Sequence, residues 1–412
     1  MLEQYALKKP EILLPDPACD LTKWAVVACD QFTSQPEYWR RVETFVGSAP
    51  SALNLIYPEA WLSRGDVRVE AINRAMRDYE KNVLTRRVSG FALVERRIAA
   101  GYRLGLVAAV DLEQYDFARN SRSLIRPTEG TILERIPPRV CIRERTPLEL
   151  PHVLLLADDP DRTLIEPLYA ARDGLEKLYD FELMEGGGHI RGWLVPEEVA
   201  LEGALAGLME KADGLLFAVG DGNHSLATAR QCWLNIRQHL SPAERETHPA
   251  RWALVEINNL HDPALVFEPI HRALFGAEGE ALRRDFAAWL AERGMSLVDC
   301  GAREAMFILT QRGRDRSLRV EGLENPLPLA TLQPFLDQWL AARADASIDY
   351  IHGEAALRAL AEKGALGILL PAMDKRALFE SVRRGGPLPR KTFSMGEANE
   401  KRYYLEARKI SV

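Results

Sequence analysis

Apolar runs and stripes follow one another along the 412 residues in an order that predicts a mixed α/β chain. Residues 24–28 (WAVVA) are an apolar run too short for a helix and predict a buried strand. A polar, turn-like stretch begins at Asp30, and Pro36 is placed to open a helix. In DVRVEAINRAMRDYEKNVL, Val69, Ile72, Met76 and Tyr79 recur at three- and four-residue spacing, the stripe of an amphipathic helix. GFALVERRIAAGYRLGLVAAVDLEQYDF, from Gly90, reads as paired strands about a Gly-bounded turn. His152–Ala157 reads as a buried strand ending in two acids, GLEKLYDFEL as helix then strand, and MEGGGHIRGWLV as a Gly-rich hairpin or loop. Leu215–Val219 predicts a further strand, and the stripe Leu226, Ala229, Trp233, Ile236 a helix after it. WALVEINNL, from Trp252, is a strand pattern.

From about Gly276 the character shifts. Amphipathic helices such as EALRRDFAAWLAERG and LQPFLDQWLAARA alternate with short strands such as MFILTQRG and GALGILLP. This order predicts an α+β, mixed α/β fold rather than a strictly doubly wound sheet. It divides the chain into an N-terminal and central region, 1–275, and a C-terminal α/β region, 276–412. There is no internal repeat, low-complexity tract or long linker.

Composition narrows the class. Fifty-three basic and 59 acidic residues leave a formal charge of −6, which gives no broad electrostatic footprint for nucleic acid. No segment approaches the roughly 20 continuous apolar residues of a membrane span. The N-terminus lacks the basic-then-apolar pattern of a secretion signal. The five cysteines (Cys19, Cys29, Cys141, Cys232, Cys300) lie far apart without a C-x-x-C pair, which fits a reducing cytoplasm.

The stretch LLFAVGDGNHSLATA, Leu215–Ala229, carries the most suggestive chemistry. Gly220 and Gly222 permit positive φ and remove Cβ atoms that would block a ligand. A helix opening there presents backbone N–H groups that favour anions, phosphate above all. Asp221 is placed to hold a metal ion or cap the helix, and His224 and Ser225 lie in its first turn. The alternative is a plain Gly-Asp-Gly turn with an Asp or Asn cap. The chain has no G-x-x-x-x-G-K-[ST] phosphate loop.

Other polar clusters stand beside apolar runs. Cys29 and Asp30 follow the first strand. Cys29 has no evident activating partner and reads as core, while Asp30 is either a turn-former or a site acid. Arg119, Arg122, Arg126, Arg135 and Arg139 surround Thr128-Glu129-Gly130-Thr131, a pattern that suits phosphate or a solvated loop. Glu129 is a candidate general base or a cap. His271 and Arg272, and Asp349, Tyr350 and His352, each read either as structural groups or as site residues. Gly186–Gly188 are a hairpin tip or a flexible lid.

Taken together, AVVACDQFTSQPEYW, TEGTILERIPPR, ELPHVLLLADDP, VGDGNHSLATA, EPIHR and DYIHGE resemble the domain-of-unknown-function 1015 family, in order and over roughly Leu13 to Tyr404. That family's central Asp-Gly-His-His-Arg motif is similar to the motif of the ParB/sulfiredoxin-like superfamily. The superfamily includes partitioning proteins that use CTP, sulfiredoxins that use ATP, and kinases of free serine. The resemblance implies a ParB/sulfiredoxin-like core with N- and C-terminal elaborations, and a nucleotide phosphate at a helix N-terminus beside an acid. Here Asn223 stands in place of the first His and Ser225 in place of the Arg, so a bidentate phosphate contact is missing from the motif; Arg230, Arg126 and Arg272 are possible substitutes.

Three functions are open. The first is a phosphotransferase acting on a small hydroxylated metabolite such as free serine. It would use ATP or ADP with Mg2+, and Asp221, His224, Glu129 and Asp30 as catalytic candidates. Gly220, Gly222, Asn223, Ser225, Arg126, His271 and Arg272 would be its cofactor-binding candidates and Asp221 its metal ligand. The second is a nucleotide-binding regulatory module without turnover. The third is a hydrolase using the Asp221/His224 pair. The expected partners are a small-molecule substrate and a nucleotide, with a homodimer left open and no membrane or nucleic-acid partner expected.

Overall fold

The paired strands expected about Gly101 are β1 (Phe91–Ile98) and β2 (Gly101–Asp111), antiparallel with Ala92 opposite Val107 in a computed structural model of the chain. The structure describes residues 2–196, 199–323 and 327–412; the side chain of Arg135 lies outside the described residues. Six more strands extend the pair: β3 (Ile125–Pro127), β4 (Leu154–Ala157), β5 (Glu176–Leu183), β6 (Gly188–Val195), β7 (Phe217–Asp221) and β8 (Trp252–Asn259). Their spatial order is β5-β6-β1-β2-β8-β4-β7-β3, with the short strand Leu7–Lys8 joined to β2. β8/β4 and β7/β3 are parallel and the other neighbours antiparallel, so the fold is α+β with a mixed sheet.

Strand alternation divides the core in two. Leu93, Leu106, Ala108, Val110, Ala253 and Val255 pack on one face, and Ala92, Val94, Val107 and Leu254 on the other. Both faces are covered, which is why β4 reads as a continuous apolar run. The second face carries Trp24, Trp39 and the C-terminal Tyr403 and Tyr404. Helix α1 (Ile136–Arg143) follows β3, and helix α2 (Asn223–Arg237) follows β7. Leu226, Ala229 and Trp233 of α2 are buried in the first core, as their spacing predicts.

Contact clustering separates two compact units. The first holds Met1–Val266, Leu378–Pro387 and Gly396–Val412; the second holds Phe267–Ala377 and Leu388–Met395. The C-terminal residues, placed by the sequence pattern in a separate 276–412 region, thus return to the first unit. The second unit is a sheet around strand β9 (Phe267–Phe275), flanked by Ser347–His352 and Leu366–Leu369, with helices Gly279–Ala291, Pro328–Ala341 and Glu354–Glu362. Its core is built on Leu274, Phe286, Phe335 and Leu366. Among the described residues no helix is long and apolar enough to cross a membrane.

Two local expectations are corrected. GLEKLYDFEL is strand from Glu176 onward, and the helical turns precede it at Glu166–Ala170 and Arg172–Gly174. Pairing with β6 across the Gly-rich hairpin outweighs the local pattern. Residues 24–28 contain a strand only at Val26–Val27, because Asp20 accepts hydrogen bonds from Thr22 and Lys23 and caps a helical turn through Trp24.

Candidate functional site

The glycine turn forms where expected. Leu215 and Leu216 are buried ahead of β7, and α2 begins at Asn223. Only Gly222 uses its conformational freedom, at φ +79°; Gly220 lies within the strand. A Cβ on Gly222 would lie 3.0 Å from Val153 Cα and Cγ2. Gly222 is the N-cap and brings no side chain to the first turn of α2. Those N–H groups lack intrahelical partners by construction. The Gly222 N–H itself donates to Asp221 Oδ1 at 2.9 Å.

Three neighbouring segments converge on this turn. Thr128, at the end of β3, donates its N–H and its hydroxyl to Val219 O, at 3.3 and 2.7 Å, which brings Glu129 out beside the end of β7. Further along that loop, the Ile132 N–H donates to His224 Nε2 at 3.2 Å. On the other side, Asp221 pairs with Leu154, so His152 and Val153 lie just beyond it. Alternation would send Asp221 after Phe217 and Val219 into the first core. A register irregularity between Val219 and Asp221 breaks that pattern. Asp221 instead meets the C-terminal segment on the opposite face, where Lys401 Nζ lies 3.2 Å from Asp221 Oδ2.

The same segment brings in Asp30. Tyr403–Tyr404 pairs with Val26–Val27, and the Ala28 N–H donates to Arg402 O at 2.9 Å. Burial pushes the Asp30 carboxyl up, but the charges of His152 and Lys401 and a 2.9 Å bond from the Gln31 amide hold it below the usual aspartate value. Tyr404 Oη lies 2.8 Å from His152 Nδ1 and also accepts the Cys29 N–H at 3.3 Å. Burial, then Asp30, pushes the Cys29 thiol up to about 12, so Cys29 is no nucleophile. Asp30 and Asp221 thus both face Lys401, with Glu129 and His224 on the segments that flank Asp221, and all four are half-buried. Asn223 Oδ1 is buried in the same region without a hydrogen-bond partner. Ser225 is half-buried in the first turn of α2.

The remaining candidates have protein partners of their own. Arg126 donates to Ser121 O and Gly214 O, at 3.1 and 3.2 Å, so its guanidinium sits at the opposite end of β7 from Asp221. Arg230 donates to Leu112 O at 3.0 Å and lies 3.9 Å from Asp116. Arg139 is paired with Glu59. His271 and Arg272 are on β9 of the second unit, with Asp349, Tyr350 and His352 on its neighbouring strand. His271 Nδ1 accepts the Leu370 N–H at 3.2 Å, and burial holds its pKa below the usual histidine value. Arg272 is fully buried, bonded to Gln333 and to the carbonyls of Ile270, Arg390 and Lys391, and stacked over Tyr350. Its charge satisfies protein carbonyls, as buried guanidinium groups must. Among the described residues no group of three or more His, Cys, Asp or Glu is placed to hold a metal ion.

Sequence reasoning missed His152, Lys401 and Tyr404. His152 stands immediately before an apolar run in a quoted motif, a signal that was open to use. Lys401 sits in EKRYYLEARK, which reads as a charged terminal stretch, and only the pairing of Tyr403–Tyr404 with Val26–Val27 reveals its place.

Solved structures similar to the chain include a conserved hypothetical protein from Pyrococcus furiosus, at 12% identity over 74% of this chain and 95% of that one, TM-score 0.38. A free serine kinase in complex with AMP matches at 13% identity over 74% and 91%, TM-score 0.40. SbnI with C-terminal truncation, from Staphylococcus aureus, matches at 10% identity over 70% and 82%, TM-score 0.39. No curated protein matches the chain. The family described as protein of unknown function DUF1015 matches residues 13–409, nearly the whole length, and the chain belongs to that family.

Proposed function

We propose that the chain is a nucleotide-dependent phosphotransferase acting on a small hydroxylated metabolite, with free serine the first acceptor to test. One observation carries the reading: Asp30, Asp221, His224 and Lys401 gather around a helix start whose N-cap is glycine. Phosphoryl transfer depends mainly on positioning and charge stabilisation, and this set supplies both in kind. In this reading the N–H groups of Asn223 to Ser225 receive phosphate oxygens of ATP or ADP. The acceptor oxygen attacks the terminal phosphorus, the bridging P–O bond breaks, and the shortened nucleotide leaves. Asp30, held ionised by its neighbours, takes the hydroxyl proton, with Glu129 the alternative base. His224, held through Nε2 by the Ile132 N–H, stands in the first turn of α2 and contacts the transferring phosphoryl group. Asp221, whose oxygens meet the Gly222 N–H and Lys401, is the residue that would hold a magnesium ion, and that ion would supply neutralisation of the phosphate charge.

The test is a thermal-shift screen over nucleotides with and without magnesium, followed by an assay of nucleotide consumption with serine and other small hydroxylated acceptors. A nucleotide shift with acceptor-dependent consumption is expected. Binding without consumption would replace the reading with a regulatory module. Absence of any nucleotide shift, with turnover of a simple ester, would replace it with a hydrolase.

A further inference from the structure

We propose that Lys401 is the residue that meets the phosphate charge of the ligand, and that Arg96 is the residue that positions it; the proposal rests on the phosphate-binding reading of the same turn. The backbone around Lys401 is held to an unusual degree. Arg96, 2% exposed, donates to Asn399 O at 2.7 Å, to Lys401 O at 2.5 Å, and to Gly187 O at 3.1 and 2.8 Å. Arg103 donates to Glu400 O at 3.2 Å, and the Ala28 N–H takes Arg402 O at 2.9 Å. Every carbonyl from Asn399 to Arg402 thus accepts a bond from the body of the first unit. The side chains are sorted as firmly. The Glu400 carboxylate accepts the N–H groups of Ala99 and Glu397, at 2.9 and 3.1 Å, and Arg402 is buried between Glu256 and Glu406. Lys401 alone of the three is directed to Asp221.

Such a cage is costly. Burial, and Arg103 beside it, disfavour the charge on Arg96. Well-packed apolar side chains hold a terminal strand at lower cost than buried guanidinium groups. What the guanidinium groups add is a fixed position along the segment, because carbonyls must meet donors at set distances. The position fixed is that of the Lys401 ammonium, between Asp221 and Asp30, one residue from the Gly222 cap of α2. Ser225 brings no cation to the first turn of α2, and Lys401 supplies one from a distant part of the chain. The ligand class that follows is a phosphate or polyphosphate anion, which competes with Asp221 for the ammonium.

Calorimetric titration of the full chain with inorganic pyrophosphate and with ADP tests the proposal, using wild type, Lys401→Met, Lys401→Arg and Arg96→Met. Lys401→Met is expected to weaken both ligands by about tenfold to a hundredfold, the loss of one charge-assisted contact, and to flatten the salt dependence. Lys401→Arg should recover part of the affinity. Arg96→Met, where folded by circular dichroism, should weaken binding about tenfold although it touches no ligand; should it fail to fold, the Lys401 pair decides. Wild-type binding that Lys401→Met matches within twofold would overturn the assignment of Lys401 and leave the phosphate site standing. Failure of wild type to bind either ligand would overturn both.

Discussion

The backbone N–H of Ile132 meets Nε2 of His224 at 3.2 Å. That single bond ties the loop after β3 to the first turn of α2 and makes Nε2 the acceptor nitrogen of His224. If His224 acts on the transferring phosphoryl group, His224→Ala should lower kcat by about a hundredfold while the nucleotide Kd changes by less than about threefold. Steady-state kinetics beside equilibrium titration would check this. Equal losses in both would reduce His224 to a binding residue.

Acid should loosen the C-terminal segment. Burial pushes Glu256 up, but Arg402 and Arg103 hold it below the ordinary value of 4.5. Burial likewise pushes Glu149 up, and Arg408 and Arg143 hold it below that value. A depressed carboxylate contributes stability that is fully present above the unfolded pKa and is lost as pH falls through the folded one. Denaturant midpoints should therefore be flat from pH 7 to about 5.5 and fall below about 4.5. Arg402→Met, which leaves Glu256 and Glu406 buried without their partner, should cost about 3–5 kcal/mol at neutral pH. A midpoint unchanged at pH 3.5 would contradict the ionised state of these pairs.

Gly222→Ala should cost about 1–2 kcal/mol by urea unfolding, because an L-residue at φ +79° is strained. The added methyl, 3.0 Å from Val153 Cα, also presses on the segment next to His152, so ligand affinity should fall with stability. Stability equal to wild type would mean the turn can relax to another conformation.

Cys29 should resist alkylation. With its thiol at about 12 almost no thiolate exists at pH 8, whereas Cys141 is exposed. Iodoacetamide treatment followed by peptide mass spectrometry should find Cys141 modified first and Cys29 unmodified in the folded protein. Early modification of Cys29 would show that the Tyr404–His152 cluster opens readily.

What was legible in the sequence was local. Gly220-Asp221-Gly222 between an apolar run and a helical stripe announces a strand, a turn and a helix start, and all three occur in that order. Short apolar runs about Gly101 announce the paired strands β1 and β2, and they occur there. The arginines misled because an arginine near a glycine turn looks the same whether its partner is a phosphate or a carbonyl. Arg126 binds Gly214 O, and Arg272 binds carbonyls some 120 residues away by hydrogen bonds whose sequence separations are 118 and 119. Lys401 was hidden by the opposite effect. Its importance comes from strand pairing between residues 26–27 and 403–404, which no local pattern encodes.

That pairing has a consequence for how the protein is made. The cation of the proposed site comes from residue 401 and the tyrosine that touches His152 from residue 404, so both are synthesised only after the entire second unit. A nascent chain, or one terminated before this segment, can contain the glycine turn, Asp221 and His224 and still lack the ammonium beside them. Translation itself therefore acts as a timer: the site cannot be assembled before the ribosome has passed the whole of the second unit. Joining segments so far apart in sequence also makes that last docking step slow relative to hairpins such as β1–β2.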